Sequence, residues 1–236
     1  MSQKRIFPKT WNTIKDFWKF LAYDNSPWSM VLIVVIAFFT IVFIIFPALS
    51  FILQTPLPLV AVVSGSMEHR GVEPCITNVN GICVNRADRP LRMCGQTVGQ
   101  RHFTREGFWD VCGSWYEEHV NITFNDFIQF PFSHGFNTGD AMVIRGQEPE
   151  DLQVGSVIIF ISDTQKPIIH RIVALNMTDE GLYITTKGDH NERPQAGFPD
   201  NEVNISYEQY VGTAIFRVPY VAYVRLWVEV LLSALR

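Results

Sequence analysis

The chain has 236 residues, 47% of them hydrophobic and 18% charged, with a formal net charge of −4 and a slightly positive mean hydropathy. That composition excludes an intrinsically disordered chain, and the length supports a core well beyond that of a stapled mini-protein. Residues 1–29 carry five Lys/Arg against two Asp, which leaves 14 basic against 21 acidic residues from 30 onward. A nucleic-acid binder places a basic face on its folded part, so a net-acidic remainder argues against nucleic acid as a partner.

Residues 1–29 read as a basic amphipathic segment on the cytoplasmic side of a membrane. Trp11, Ile14, Phe17, Trp18 and Leu21 recur at helical spacing, interleaved with Lys9, Lys15 and Lys19, a pattern suited to a headgroup layer. Ser26-Pro27 has the form of an N-cap followed by a first-turn proline. Residues 30–53 (MVLIVVIAFFTIVFIIFPALSFIL) then form a transmembrane candidate inside a stretch, 25–67, without a single charge. At 1.5 Å rise per residue, about 20 such residues cross a hydrocarbon core of roughly 30 Å. A cleaved signal peptide would have a shorter apolar region nearer the N-terminus. Positive charge ahead of the span predicts a cytoplasmic N-terminus, with everything after Leu53 extracytoplasmic.

From Pro58 the helix-like text gives way to short runs rich in Val, Ile, Phe and Tyr, bounded by Gly, Pro, Asp or Asn: Leu59–Val63, Ala141–Ile144, Ser156–Ile161, Ile168–Val173, Leu182–Thr186 and Tyr210–Val218. The fold class is therefore mostly β, with 54–67 and 139–218 forming one β domain. Residues 68–138 break the pattern and read as an inserted subdomain with a short helix near Asn121–Phe130, because a structureless loop of that length inside a compact domain is improbable. All four cysteines, Cys75, Cys83, Cys94 and Cys112, fall in this insertion, and none is in a Cys-x-x-Cys pair. An extracytoplasmic compartment favours disulfides among them; a zinc site and free thiols are the competing readings. The sequons at Asn121, Asn176 and Asn204 are compatible with the same compartment. The C-terminal segment 219–236 is apolar apart from Arg225, Glu229 and Arg236, which keeps a membrane-associated helix, a second span and a core element all open.

Three short motifs carry chemistry. Ser64-Gly65-Ser66-Met67-Glu68 directly follows a strand-like run, so a serine hydroxyl can be presented at a strand-to-turn junction. Ile168-Ile169-His170-Arg171-Ile172-Val173 sets in an apolar strand the one side chain whose ordinary pKa suits a general base near neutrality. Thr185-Thr186-Lys187-Gly188-Asp189-His190-Asn191 leads a strand into a Gly-Asp turn.

In this order the three motifs resemble type I signal peptidases, specifically the archaeal and endoplasmic-reticulum branch. That branch has a Ser-Gly-Ser-Met-Glu-Pro box with the nucleophile, a His-Arg strand in place of the bacterial lysine base, and a Lys-Gly-Asp-Asn-Asn box. Thr138-Gly139-Asp140, Val154–Phe160 and Val211-Gly212 through Tyr220 add to the resemblance. It implies a signal-peptidase-like β domain in which Ser66 is the nucleophile, His170 the base, and the Ser66 N–H and Ser64 hydroxyl the oxyanion donors. It further implies that signal peptides of exported preproteins are cleaved without metal or cofactor, in a cell membrane or endoplasmic-reticulum-type membrane, with export machinery as a candidate partner. Three departures stand out: His69 occupies the place of the box proline, the insertion 68–138 is long, and Gln195 stands where a second aspartate is expected. Asp189 and Asp200 are the candidates to orient His170, with Asp200 expected in contact with it if 192–199 loops out. Ala61, Val62, Val63, Ile168 and Ile169 read as strand edges that receive an extended substrate with small side chains. Two alternatives compete: a catalytically impaired, membrane-anchored binding module, favoured by the altered aspartate box and by His69, and a self-cleaving serine protease of related architecture.

Overall fold

The computed structural model describes residues 18–21, 26–72, 75–79, 82–86 and 90–223, with side chains for all of these except 75–79 and 82–86. The basic stretch before Trp18, the side chains of Cys75 and Cys83, and the C-terminal segment beyond Tyr223 lie outside the described residues. The chain divides into two compact units, 1–52 and 53–236.

Helix α1 runs from Pro27 to Leu53, all but its last residue in the first unit, and is long and apolar enough to cross a membrane. Ser26 caps it by accepting the Ser29 N–H, and Pro27 opens the first turn, where its missing N–H has no helical partner to lose. Residues 41–45 widen into a π-helical turn in which the Phe46 N–H reaches back to the Ile41 carbonyl. Pro47 accounts for this, because it cannot donate to the turn before it and its ring crowds the carbonyl four residues back. The Ser29 hydroxyl donates to the Phe20 carbonyl at 2.9 Å, tying the helical residues 18–21 to the start of α1.

The second unit is built on a seven-stranded sheet. Its strands are β1 (Leu59–Ala61), β6 (Ala141–Arg145), β7 (Val157–Ile161), β8 (Pro167–Thr178), β9 (Gly181–Lys187), β10 (Ile205–Ser206) and β11 (Tyr210–Val218), in the order β1-β6-β11-β7-β8-β9-β10. Every pairing is antiparallel. The central strand β7 reads VIIFI without polar alternation because both of its faces are covered. Val157 and Ile159 join Val62, Met67, Phe136, Met142, Ile144 and Ile169 on one side, while Ile158 and Phe160 join Leu152, Ile172, Leu182, Ile184 and Ile205 on the other. Each such side chain stabilises the fold by about 1.5–3 kcal/mol relative to exposure.

The insertion carries hairpins β2–β3 (Cys75–Val79, Ile82–Arg86) and β4–β5 (Leu91–Met93, Gln96–Val98), then helix α2 (Arg105–Val120) and the short α3 (Phe124–Phe127). The expected short helix near 121–130 is thus confined to α3, and the longer α2 was not anticipated. Thr104 caps α2 through the Gly107 N–H, and Asn121 ends it in the left-handed conformation at φ 53°. Gly113 is required inside α2, since a Cβ there would lie 2.5 Å from the Trp109 ring. Phe108, Cys112 and Tyr116 recur every four residues and bury one face with Met93, Ile122, Phe127 and Val173 of β8. The insertion's core is therefore continuous with the sheet.

Candidate active site

The turn that bears Ser66 is fixed from both ends. Before it, the Val62 N–H donates to the Asp140 carbonyl at 2.8 Å and the Val62 carbonyl accepts the Gly139 N–H at 2.9 Å. After it, fully buried Met67 anchors the chain in the core, and its carbonyl accepts the Phe136 N–H at 3.1 Å. Glu68 is buried too, held by Arg70 Nε at 2.6 Å and accepting the Thr138 N–H at 2.9 Å. Asp140 accepts the Asn137 N–H at 2.8 Å and pairs with Arg217 at 3.3 Å. The Thr138-Gly139-Asp140 motif is thereby a brace for the serine turn.

His170 projects from β8 with Nε2 2.8 Å from Ser66 Oγ. The Ser64 hydroxyl lies 3.1 Å from the same Oγ. His170 Nδ1 is bonded to Glu202, whose carboxylate is buried. The expected contact between Asp200 and His170 is not formed: Asp200 accepts from the Thr164 hydroxyl at 3.4 Å. The segment does loop out, but over 196–201, which returns Glu202 rather than Asp200 to the site. Glu202 N donates to the Gln195 carbonyl at 2.8 Å, and Gln195 N donates to Glu202 Oε2 at 2.7 Å. Glu202 is the residue that sequence reasoning missed. Its one signal is that a carboxylate, once looped back beside Gln195, can occupy the place where an aspartate was expected.

Asp189 does not contact His170 either. It takes Arg171 Nε at 2.8 Å and Nη2 at 2.7 Å, His69 Nε2 at 2.9 Å and the Tyr116 hydroxyl at 3.1 Å. Burial alone would raise its pKa; the Arg171 guanidinium and the other donors overcome that and hold the carboxyl well below the usual carboxylate range. Arg171 spends its remaining N–H groups on the carbonyls of Pro131, Gly155 and Phe132 at 2.8, 2.7 and 3.1 Å. The buried charges are thus paired and hydrogen-bonded. Burial lowers the pKa of His69 despite its bond to Asp189, and its ring stacks on Phe108 at 3.6 Å. Burial also pushes Lys187 down to about 8.

The apolar candidates divide. Val62 is a core residue whose backbone groups are already bonded, so it offers no open edge. Ala61 ends β1, the outermost strand on its side of the sheet. Among the described pairings β8 meets β9 only from Arg171 onward, so Ile168 and Ile169 pair with β7 alone. Of the cysteines, Cys94 and Cys112 form a disulfide. Among the described residues no group of three or more His, Cys, Asp or Glu could hold a metal ion.

No protein-family model matches the chain. It is 33% identical over 85 residues, 36% of its length, to Signal peptidase I W of Bacillus subtilis (strain 168), and it spans 42% of that protein. It is 31% identical over 94 residues, 39% of its length, to the Signal peptidase complex catalytic subunit sec11 of Dictyostelium discoideum, and it spans 52% of that protein. The chain thus covers about half the length, or less, of the curated relatives it matches. Over part of its length the chain is thus similar to two signal peptidases, one bacterial and one the catalytic subunit of a signal peptidase complex.

Proposed function

We propose that this protein is a membrane-anchored serine endopeptidase that removes signal peptides from exported preproteins, with Ser66, His170 and Glu202 as its catalytic residues. The observation that carries the reading is the chain of contacts from Ser66 Oγ through His170 to Glu202. A serine hydroxyl is a weak nucleophile at its own pKa, so His170 Nε2 takes the Ser66 proton as Oγ attacks the substrate carbonyl. Glu202 holds the other ring nitrogen as the donor and stabilises the imidazolium that forms. The Ser66 N–H and Ser64 hydroxyl serve the tetrahedral oxyanion, and loss of such a donor costs about 3 kcal/mol. His170 then returns the proton to the departing amine, and water repeats the sequence on the acyl-enzyme. The altered aspartate box, the best argument for an inert binding module, loses its force once Glu202 supplies a carboxylate.

The substrate pairs as an extended strand with the open edges at Ala61 and at Ile168-Ile169. Helix α1 spans the membrane with its N-terminus cytoplasmic, and the β domain lies outside. The test is cleavage of a purified preprotein by the full chain in detergent, with the product's new N-terminus read by mass spectrometry. Wild type should cut after a small residue beyond the signal's apolar helix, and Ser66→Ala and His170→Ala should be silent. Undiminished cleavage by Ser66→Ala would overturn the assignment.

A further inference from the structure

We infer that helix α2 of the insertion is a positioning element of the peptidase site proposed above, on which this inference rests, and that Tyr116 is its positioning residue. The turn 188–190 lies against the reacting pair. His190 N donates to the Ser66 carbonyl at 2.8 Å, Asp189 N points to Met67 Sδ at 3.4 Å, and a Cβ on Gly188 would stand 2.9 Å from both His170 Nε2 and the Ser66 carbonyl oxygen. Any shift of this turn therefore shifts Ser66 relative to His170. What fixes the turn from beneath is Asp189, whose partners come from three places: Arg171 from β8, His69 from the segment after the nucleophile, and Tyr116 from α2.

The insertion grips the same turn in further ways. Lys187 Nζ lies 4.7 Å from the Tyr116 ring centre and 5.2 Å from that of Trp115, so two neighbouring aromatics of α2 face the buried ammonium. Cys94 N donates to the His190 carbonyl at 2.9 Å, and Cys94 Sγ touches the Asp189 carbonyl at 3.3 Å. The Cys94–Cys112 bond then fastens that contact to α2 one turn before Tyr116. The buried Tyr116 hydroxyl and the disulfide thus hold one turn from the same helix, and neither touches the reacting atoms.

Tyr116→Phe removes a single hydroxyl and keeps the ring, and Cys94→Ser/Cys112→Ser removes the clasp. In full-length protein in detergent, assayed well below each variant's thermal midpoint, both should lower kcat by about tenfold to a hundredfold with KM nearly unchanged, the size expected for slight misplacement of reacting groups. The losses should not multiply when the variants are combined, and Tyr116→Phe should cost almost nothing in an Asp189→Asn background, because the hydroxyl acts through that carboxylate. Wild-type kcat in Tyr116→Phe, a raised KM at unchanged kcat, or a full additional loss in the Asp189→Asn background would overturn the inference. Ser66→Ala run alongside separates the failures. Cleavage surviving there overturns the peptidase reading and this inference with it, while a silent Ser66→Ala beside an unaffected Tyr116→Phe overturns this inference alone.

Discussion

Replacing Glu202 by Gln changes one oxygen to an NH2 group and tests the proposed orienting role without altering side-chain shape. In the native site both carboxylate oxygens accept: one from His170 Nδ1 and the other from the Gln195 N–H at 2.7 Å. An amide has a single acceptor, so it must disappoint one of them. The Gln195 backbone N–H is always a donor, whereas an imidazole can move its proton to the other nitrogen. Leaving the backbone N–H facing an NH2 group would cost about 1–3 kcal/mol. The amide oxygen therefore turns to Gln195, and its NH2 faces Nδ1. The His170 proton moves to Nε2, the nitrogen that must be free to accept from Ser66. Serving the wrong tautomer costs on the order of 10⁴ in kcat in serine peptidases with an aspartate in this role, so a fall of about 10³ or more is expected here. Asp200→Asn, which among the described contacts disturbs the long bond from Thr164, should stay within about threefold of wild type. The assay is steady-state preprotein cleavage by full-length protein in detergent, with thermal midpoints recorded for each variant. A Glu202→Gln enzyme within tenfold of wild type, or an Asp200→Asn enzyme as impaired as Glu202→Gln, would rule out Glu202 as the group that sets the His170 tautomer.

Further outcomes follow from the same contacts. Since burial holds Lys187 at about 8 in the folded protein against an ordinary 10.5, the unfolded chain binds the extra proton between those values, and stability should rise with pH across that window by up to about 3 kcal/mol. Tyr116, whose pKa burial raises well above 10, turns the trend downward above about pH 10, where the unfolded tyrosine loses its proton first. Denaturation midpoints across pH 7–11 should show this rise in wild type and lose it in Lys187→Met; an identical rise in that variant would exclude the lysine as its source. Gly188→Ala would put a methyl 2.9 Å from His170 Nε2 and the Ser66 carbonyl, so kcat should fall by about tenfold or more with a folded protein, and unchanged kcat would contradict the packing of the turn. A cysteine at exposed Asp179 should react with a membrane-impermeant reagent in intact cells, and reaction only after lysis would reverse the proposed orientation.

How far the sequence could be read is clearest in particular residues. Strand β11 was legible over Tyr210–Val218 because β-branched and aromatic residues run between a capping turn and a proline, and β6 to β9 were legible for similar reasons. Ser26 and Pro27 announced the start of α1 through local chemistry alone. Helix α2 was not legible. Its sequence REGFWDVCGSWYEEHV scatters two glycines and aromatics around the helix, and much of its hold comes from Val173 and from His69 stacked on Phe108, which are tertiary partners. Glu202 was hidden for a related reason. Its approach to His170 depends on a loop over 196–201 whose closure is made by backbone bonds to Gln195 and to Thr186, and no residue pattern records those bonds. Val62 reads from the sequence as an open edge and is not one, because alternation along a short apolar run does not say which backbone groups a neighbouring loop takes.

In the proposed reaction Ser66, activated by His170, becomes covalently acylated during peptide cleavage. The most direct measurement is rapid acid quench of full-length protein mixed with a peptide ester carrying a small residue at the scissile carbonyl, followed by intact mass and peptide mapping. A transient acyl adduct is expected on Ser66, absent from Ser66→Ala and strongly slowed in His170→Ala. An adduct on another residue, or peptide cleavage by Ser66→Ala with no adduct at all, would contradict it.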